Sequence, residues 1–442
     1  MIQKPSIFAC STGSGRAGIA VIRISGPHAR AAVERLAFPL PKERVAAYRE
    51  IRTCDRSEVL DRGLVIWFAG PRSATGDDVA EFHVHGSQTV VEALLRELSD
   101  IEGLQPAGPG DFSRRAFENG ILDLVEIEGL ADLLQAETAS QRRLAMRQFM
   151  GEASAVYQGW RQRLVSALAY LEASIDFTDE EGVAEAAVER ARPLLEALTK
   201  ELSIALEASR QASAIRRGMR IVIGGAPNVG KSSLLNSLVG RSAAIVSPIA
   251  GTTRDVVEAP LVIDGVRVSL ADTAGVRSAI SDDIEREGVQ RSRTEMAAAD
   301  LLVWVTSPDV ANGEQPARQP DLWVCNKSDL LAPGSIHMRN DSVFMVSTKT
   351  HEGMASLKER LSHLVRDRLS LQPNAVMVRL RHTVAVEESI RLLNDALQKD
   401  LTQLELMAED VRKAASSLAS VTGRVGVEEL LGQIFSEFCI GK

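Results

Sequence analysis

Gly225-Ala226-Pro227-Asn228-Val229-Gly230-Lys231-Ser232, with Arg220-Ile221-Val222-Ile223-Gly224 before it and Ser233-Leu234-Leu235-Asn236-Ser237-Leu238 after it, decides how this chain is read. The stretch has the form G-x-x-x-x-G-K-[ST], set between a short apolar strand and a helix, the context that pattern needs. Its physics is anion binding. Backbone N–H groups around Gly225 and Gly230 turn inward, and the N-terminus of the helix that follows adds the positive end of its dipole. Lys231 reaches the outer phosphates, and the Ser232 hydroxyl is a hard oxygen ligand suited to Mg²⁺. An ordinary strand–turn–helix needs glycine at its turn, but has no call for the lysine and serine that follow.

Working outward, apolar runs at 266–271, 301–305, 322–325 and 343–346 alternate with helix-like segments. Continuous runs of this kind predict strands buried on both faces, hence a mostly parallel sheet in an α/β domain over 216–371. Each polar motif falls after a strand, at the carboxyl edge where such sheets bind ligands. Asp272-Thr273-Ala274-Gly275 offers a carboxylate for Mg²⁺ through water and a glycine N–H for the γ-phosphate. In Asn326-Lys327-Ser328-Asp329, Asp329 accepts both guanine N1–H and N2–H₂, which adenine lacks, so the expected nucleotide is GTP. Ser347-Thr348-Lys349 closes over the base. Gly251-Thr252-Thr253 completes the metal shell when a γ-phosphate is present.

Many GTPases carry glutamine after D-x-x-G to orient the attacking water; this chain has Val276. Arg254 and Arg277 are the arginine-finger candidates, neither of them obvious. Two further readings stay open. Asn228 offers a carbonyl oxygen that suits a monovalent cation beside the phosphates, or is a simple turn residue. The acidic run 281–287 supplies a carboxylate to position water, or is a solvated loop.

The 442 residues predict two or three domains. Apolar residues are 45% and aromatics 4%, which tilts the chain toward helix. A net charge of −8 makes the whole surface a poor nucleic-acid glue, so RNA contact requires a local patch or a basic partner. Cys10, Cys54, Cys325 and Cys439 show no C-x-x-C spacing, so neither a zinc site nor a disulfide framework is expected. No apolar run approaches membrane-span length, and a cytoplasmic setting is the default.

Residues 1–118 read as a mixed α+β domain, with strands at 7–10, 19–26 and 63–70, a helix at 27–36, and strand alternation within 75–86. Strand alternation puts Glu81, His83 and His85 on one face; without a third committed ligand, a polar face suits them better than a metal site. Glu81 opposite Arg23 suits a ligand with a donor edge and an acid group, such as a pterin. Helical spacing dominates 119–215, through Ile127, Leu130 and Leu134, then Val156 to Ile175, then Leu195 to Leu206. It resumes at 390–406 and 414–438. The expectation is one bundle, 119–215 plus 372–442, with the phosphate-loop domain inserted into it. By residue type alone, Cys439-Ile440-Gly441-Lys442 is tail rather than site.

With these motifs in view, the chain resembles the MnmE (TrmE) family of tRNA-modification GTPases over its whole length, through 18–26, 75–86, 225–233, 249–255, 272–275, 326–329 and the closing Cys439–Lys442. The resemblance implies a folate-binding N-terminal domain, a discontinuous helical domain and an inserted G domain. It further implies a homodimer that works with the flavoprotein MnmG on tRNA. The product is an aminomethyl-type (carboxymethylaminomethyl) group at C5 of the wobble uridine, U34, with a reduced folate (5-formyltetrahydrofolate or 5,10-methylenetetrahydrofolate) as one-carbon source. Asn228 resembles the family's K⁺ ligand. Ser247-Pro248-Ile249-Ala250-Gly251-Thr252 resembles the K⁺-binding loop, with Ser247, Ile249 and Thr252 at the ion. Ser232 and Thr253 resemble the Mg²⁺ ligands, Glu285 the water-positioning glutamate, and Cys439 the cysteine tied to the modification. Arg23, Glu81, Lys442 and the position of Ile121 fall at the folate pocket, although Ile121 stands where the family has Lys or Arg. Ala74-Thr75-Gly76-Asp77-Asp78 likewise lacks an aromatic and shortens one acid. The competing class is a GTP-dependent ribosome-assembly or scaffold switch, which explains neither the split bundle nor the closing motif.

Overall fold

The computed structural model describes residues 4–13, 15–176, 183–239, 258–272, 293–310, 315–331, 343–368, 377–423, 431, 432, 434, 435, 438 and 441. They fall into two compact units. One comprises Met1–Leu134, Arg147–Leu195 and Arg391–Lys442, the other Gln135–Met146 and Glu196–Ile390.

The first unit opens with strands β1 (Ser6–Cys10) and β2 (Ala17–Ser25), helix α1 (Ala29–Leu36), strands β3 (Ala47–Arg52), β4 (Val59–Phe68) and β5 (Val79–Gly86), helix α2 (Gln88–Ser99), strand β6 (Leu104–Pro106) and helix α3 (Asp111–Glu118). The strands form one sheet in the order β3-β4-β5-β2-β1-β6, in which only β1 and β6 run parallel. Alternation in β2 sends Ala20, Ile22 and Ile24 to one face, where they pack with Phe82 and Val84 of β5, Val33 and Leu36 of α1, and Leu94 and Leu98 of α2. The other face carries Arg23, opposite Ala9, and a small cluster of Ile7, Ala9, Ala107 and Phe112. β3 has no obvious strand pattern in sequence: in Ala-Tyr-Arg-Glu-Ile-Arg only Ile51 is fully buried, as suits a charged edge strand.

Helices α4 (Leu124–Gln135), α5 (Ala139–Phe149), α6 (Glu152–Asp176) and α7 (Val183–Arg217) follow. In α6 the buried side chains Tyr157, Trp160, Leu164, Ala167 and Leu171 recur at three and four residues. Tyr157 and Trp160 meet edge to face, with centroids 5.3 Å apart.

The second unit centres on a sheet built from β7 (Met219–Gly224), β8 (Glu258–Ile263), β9 (Val266–Asp272), β10 (Leu301–Thr306), β11 (Leu322–Cys325) and β12 (Val343–Met345). Its order is β12-β11-β10-β7-β9-β8, parallel throughout except for β8 against β9. Helices α8 (Lys231–Val239) and α9 (Met354–Arg368) contribute Leu234, Leu235, Leu238, Leu357, Leu361 and Val365 to the core around Ile221, Ile223, Val303 and Val305.

The unbroken helical pattern expected over 390–406 is interrupted. Helix α10 is Leu380–Leu397 and helix α11 is Leu404–Val421. Between them Asp400 accepts from Thr402 N at 2.9 Å and Thr402 Oγ1 at 2.5 Å. The Arg192 guanidinium donates to the carbonyl of Leu397 at 2.7 Å, a group the helix end leaves without a partner, and to that of Lys399 in the connection at 3.1 Å. The run expected over 414–438 breaks at turns at Thr422 and Gly423 after α11, and residues 431, 432, 434 and 435 are helical again. Beyond α11, Leu431, Ile434, Phe435 and Phe438 pack on Leu124, Ile127 and Ala131 of α4. Ser11 Oγ donates to the carbonyl of Gly441 at 2.9 Å, which ties Gly441 to the loop after β1.

Candidate functional site

In the second unit, three loops at the carboxyl ends of β7, β11 and β12 meet. The phosphate loop turns sharply: φ is +144° at Gly225 and +91° at Gly230. A Cβ at Gly225 would lie 2.2 Å from Val305 O, and one at Gly230 would lie 2.4 Å from Asn326 Nδ2, so close packing as well as conformation demands glycine. Lys231 is 6% exposed, and its ammonium donates to the carbonyls of Gly225 and Ala226 at 2.8 and 2.9 Å. A cation is thereby held inside the loop whose amides open α8, which fits a polyphosphate.

Asn326 is fully buried and joins all three loops. Its Nδ2 donates to Val229 O at 3.0 Å, and its Oδ1 accepts from Thr348 N at 3.2 Å. Ser347, also fully buried, donates through Oγ to Asp329 Oδ1 at 2.7 Å and accepts from Thr350 N at 3.1 Å. This turns the exposed Asp329 carboxylate into a fixed acceptor, the group guanine recognition needs. Lys327 donates to Asn228 O at 2.7 Å and to Asp309 Oδ2 at 2.8 Å. Hydrogen bonds from Lys327 and then Ser307 hold the Asp309 carboxyl below the usual carboxylate range, whereas burial raises the Cys325 thiol above its ordinary value. No sequence motif marks Asp309, which lies 18 residues before its partner in a turn after β10.

The remaining expectations divide plainly. Asn228 is exposed, as are Ser232, Ser233 and Lys349. Asp272 closes β9 with its backbone opposite Ile223. Ser247, Pro248, Ile249, Ala250, Gly251, Thr252, Thr253, Thr273, Ala274, Gly275, Glu285, Cys439 and Lys442 lie outside the described residues.

In the first unit, Arg23 on β2 faces Glu81 on β5 across the sheet. Its Nε and Nη2 both reach Glu81 Oε1, at 3.0 and 2.8 Å, while Glu81 Oε2 meets His83 Nε2 at 3.1 Å. Arg23 also lies over the Phe112 ring, 5.9 Å from its centroid. The pair presents donors and acceptors beside an aromatic face, a donor set that fits a pterin. His85 does not join them: its Nδ1 and backbone N bind Asp61 at 2.8 and 2.7 Å. Among the described residues no cluster of three His, Cys, Asp or Glu side chains is arranged for a metal ion. Ile121 is 40% exposed, and its side chain would lie 3.0 Å from a Cβ on Gly76. Asn119 secures that loop through Thr75 O at 2.7 Å, and the buried Arg115 does so through Asp77 at 3.0 Å.

The family model described as the MnmE helical domain matches residues 124–439, and that of the GTP-binding protein TrmE N-terminus matches residues 6–121. Three curated relatives each bear the name tRNA modification GTPase MnmE. That of Parvibaculum lavamentivorans is 47% identical over 99% of this chain and 100% of its own length. That of Rhizobium etli is 45% identical over 99% of both chains. That of Paramagnetospirillum magneticum is 46% identical over the whole of both.

Proposed function

Because the chain belongs to the MnmE family, we propose that it is a GTP hydrolase acting in tRNA modification, in which Asn326 unites the phosphate and base loops into one guanine-nucleotide site. The observation that carries this reading is the buried Asn326 amide, bonded to Val229 on one side and Thr348 on the other. It ties triphosphate binding to base choice, the arrangement a GTP-specific switch requires.

Lys231 and the amides of Val229 to Ser233 would hold the phosphates, Asp329 the base, with Thr348 and Lys349 beside it. Ser232 and Thr253 would hold Mg²⁺, with Asp272 through water, and Thr273, Ala274 and Gly275 would adjoin the γ-phosphate. Asn228 and the 247–252 loop would hold K⁺. When bound, K⁺ supplies the positive charge that an arginine finger supplies elsewhere. Glu285 would orient the water. The proposed division is the one expected from sequence: 1–118 for folate, 216–371 as the inserted G domain, and 119–215 plus 372–442 as the split helical domain.

In the first unit, Arg23 and Glu81 would hold a reduced folate, which supplies the one-carbon unit, with Ile121 and Lys442 at the rim of that pocket. Cys439 is assigned to the modification step. The modified atom is C5 of U34, and the partner is the flavoprotein MnmG, in the cytoplasm. No described helix is long and apolar enough to cross a membrane. In cells lacking the protein, wobble uridines of the substrate tRNAs should lose the aminomethyl-type group, as read by nucleoside mass spectrometry. The wild-type gene should restore it. Glu81→Ala should not, and should also cost about tenfold or more in 5-formyltetrahydrofolate affinity with GTP turnover intact. Normal wobble nucleosides in the deletion strain refute the assignment and favour a scaffold role.

A homodimer is supported by exposed apolar side chains on one face of the first sheet. Tyr48 (66% exposed) pairs across β3–β4 with Leu64 (39%), and Ile19 (62%) lies on β2 on the same face. Sedimentation should give twice the chain mass for the wild type. Tyr48→Lys with Leu64→Glu should raise the dimer dissociation constant about a hundredfold; an unchanged dimer removes this face from the interface.

A further inference from the structure

Asn228 and Lys327 share an unusual property: both are non-glycine residues held in the left-handed region, at φ +64° and +58°. Asparagine enters that region more readily than most residues, whereas a lysine there calls for neighbours that hold it. Beside the backbone hydrogen bond from Leu330 N to Lys327 O at 3.0 Å, the two residues are tied to each other and to Asp309. The Lys327 ammonium donates to the Asn228 carbonyl at 2.7 Å and to Asp309 Oδ2 at 2.8 Å, while Ser307 Oγ donates to Asp309 Oδ1. Ser307 is buried and follows directly on β10, so the Asp309 carboxylate is fixed from the sheet outward.

We propose that Asp309 is a positioning residue of the nucleotide site, which holds the Lys327 amine on the phosphate loop and so couples the base-recognising segment to the geometry of Asn228. An isolated ion pair with its side chains 30% and 43% exposed contributes little to stability. The third partner changes its role. Without Asp309 the lysine, a flexible four-carbon chain, gains many orientations and spends less time on the Asn228 carbonyl. The loop turn that points the Asn228 side chain then loses one of its restraints. The consequence falls on nucleotide residence and cation use rather than on folding.

This inference rests on the reading of Asn228 and of Asn326–Asp329 given above, and the test separates the two. In the full-length protein, the dissociation rate of a fluorescent GDP and the K⁺ concentration for half-maximal GTP turnover are measured for wild type, Asp309→Ala and Asp309→Glu. Asp309→Ala should raise each about fivefold, and Asp309→Glu, which keeps the charge, should bring each back toward wild type. An Asp309→Ala protein that only melts earlier or turns over less, with both constants unchanged, overturns the proposal. So does Asp309→Glu behaving as Asp309→Ala in both. Wild type that binds no GDP refutes the nucleotide reading and the inference with it. Wild type that binds GDP but responds equally to K⁺ and Na⁺ refutes only the cation reading, and the GDP dissociation rate then decides on Asp309.

Discussion

Replacing Asn228 with alanine should lower K⁺-stimulated GTP turnover by about a hundredfold to a thousandfold, the loss seen when one preorganised group at a developing charge is removed. GDP affinity should change by no more than a few-fold. The contacts described for Asn228 make the distinction possible. Its backbone carbonyl, not its side chain, receives Lys327, so truncation leaves that tether in place and removes the side-chain amide with its oxygen. One complication is the left-handed backbone at φ +64°, where alanine is strained. Asn228→Gly resolves it, because glycine adopts that conformation freely. If the side-chain oxygen matters, both variants lose turnover and both lose the difference between KCl and NaCl. Recovery of turnover in the glycine variant alone would trace the defect to backbone strain and end the case for a cation ligand.

Asp329→Asn should cost about a hundredfold in GTP affinity and bring a matching gain for xanthosine triphosphate. Guanine presents two adjacent donors, N1–H and N2–H₂, to the two carboxylate oxygens. An amide offers one acceptor and one donor, which clashes with the exocyclic amine of guanine and matches the carbonyl that xanthine carries there. Ser347 already donates to Asp329 Oδ1, and in the variant this bond favours the rotamer with the amide oxygen at that position. Competition binding with both triphosphates reads the result directly. Retained preference for GTP would mean that base choice resides in another group.

The parts of this site legible in sequence are those in which backbone geometry dictates residue type. Gly225 and Gly230 face Val305 O and Asn326 Nδ2 at distances no side chain tolerates, and Asn326 itself sits at zero exposure between two loops. Few residue types satisfy such positions, so the pattern is readable. The brace from Asp309 is different. Any acid on a turn of suitable reach could serve, and nothing local to Ser307-Pro308-Asp309 announces Lys327. The same contrast holds for the fold. Buried parallel strands such as β10, with Leu301 to Val305 all shielded, stand out as apolar runs. Edge strands do not: β3 is half charged, and β8 carries Pro260, a residue tolerated at an edge. The break before α11 had a local sign, Asp400 two residues before Thr402, which the apolar spacing on either side concealed.

The packing of Leu431, Ile434, Phe435 and Phe438 on α4 has a consequence for biosynthesis. Leu124, Ile127 and Ala131 are polymerised about three hundred residues before the side chains that shield them, an interval of about 15 to 60 seconds at ordinary elongation rates. Until then these greasy groups of α4 lack their final cover, while the sheet of β1 to β6 already has every strand it needs. Nascent chains stalled short of Leu431 should therefore be the ones that chaperones find.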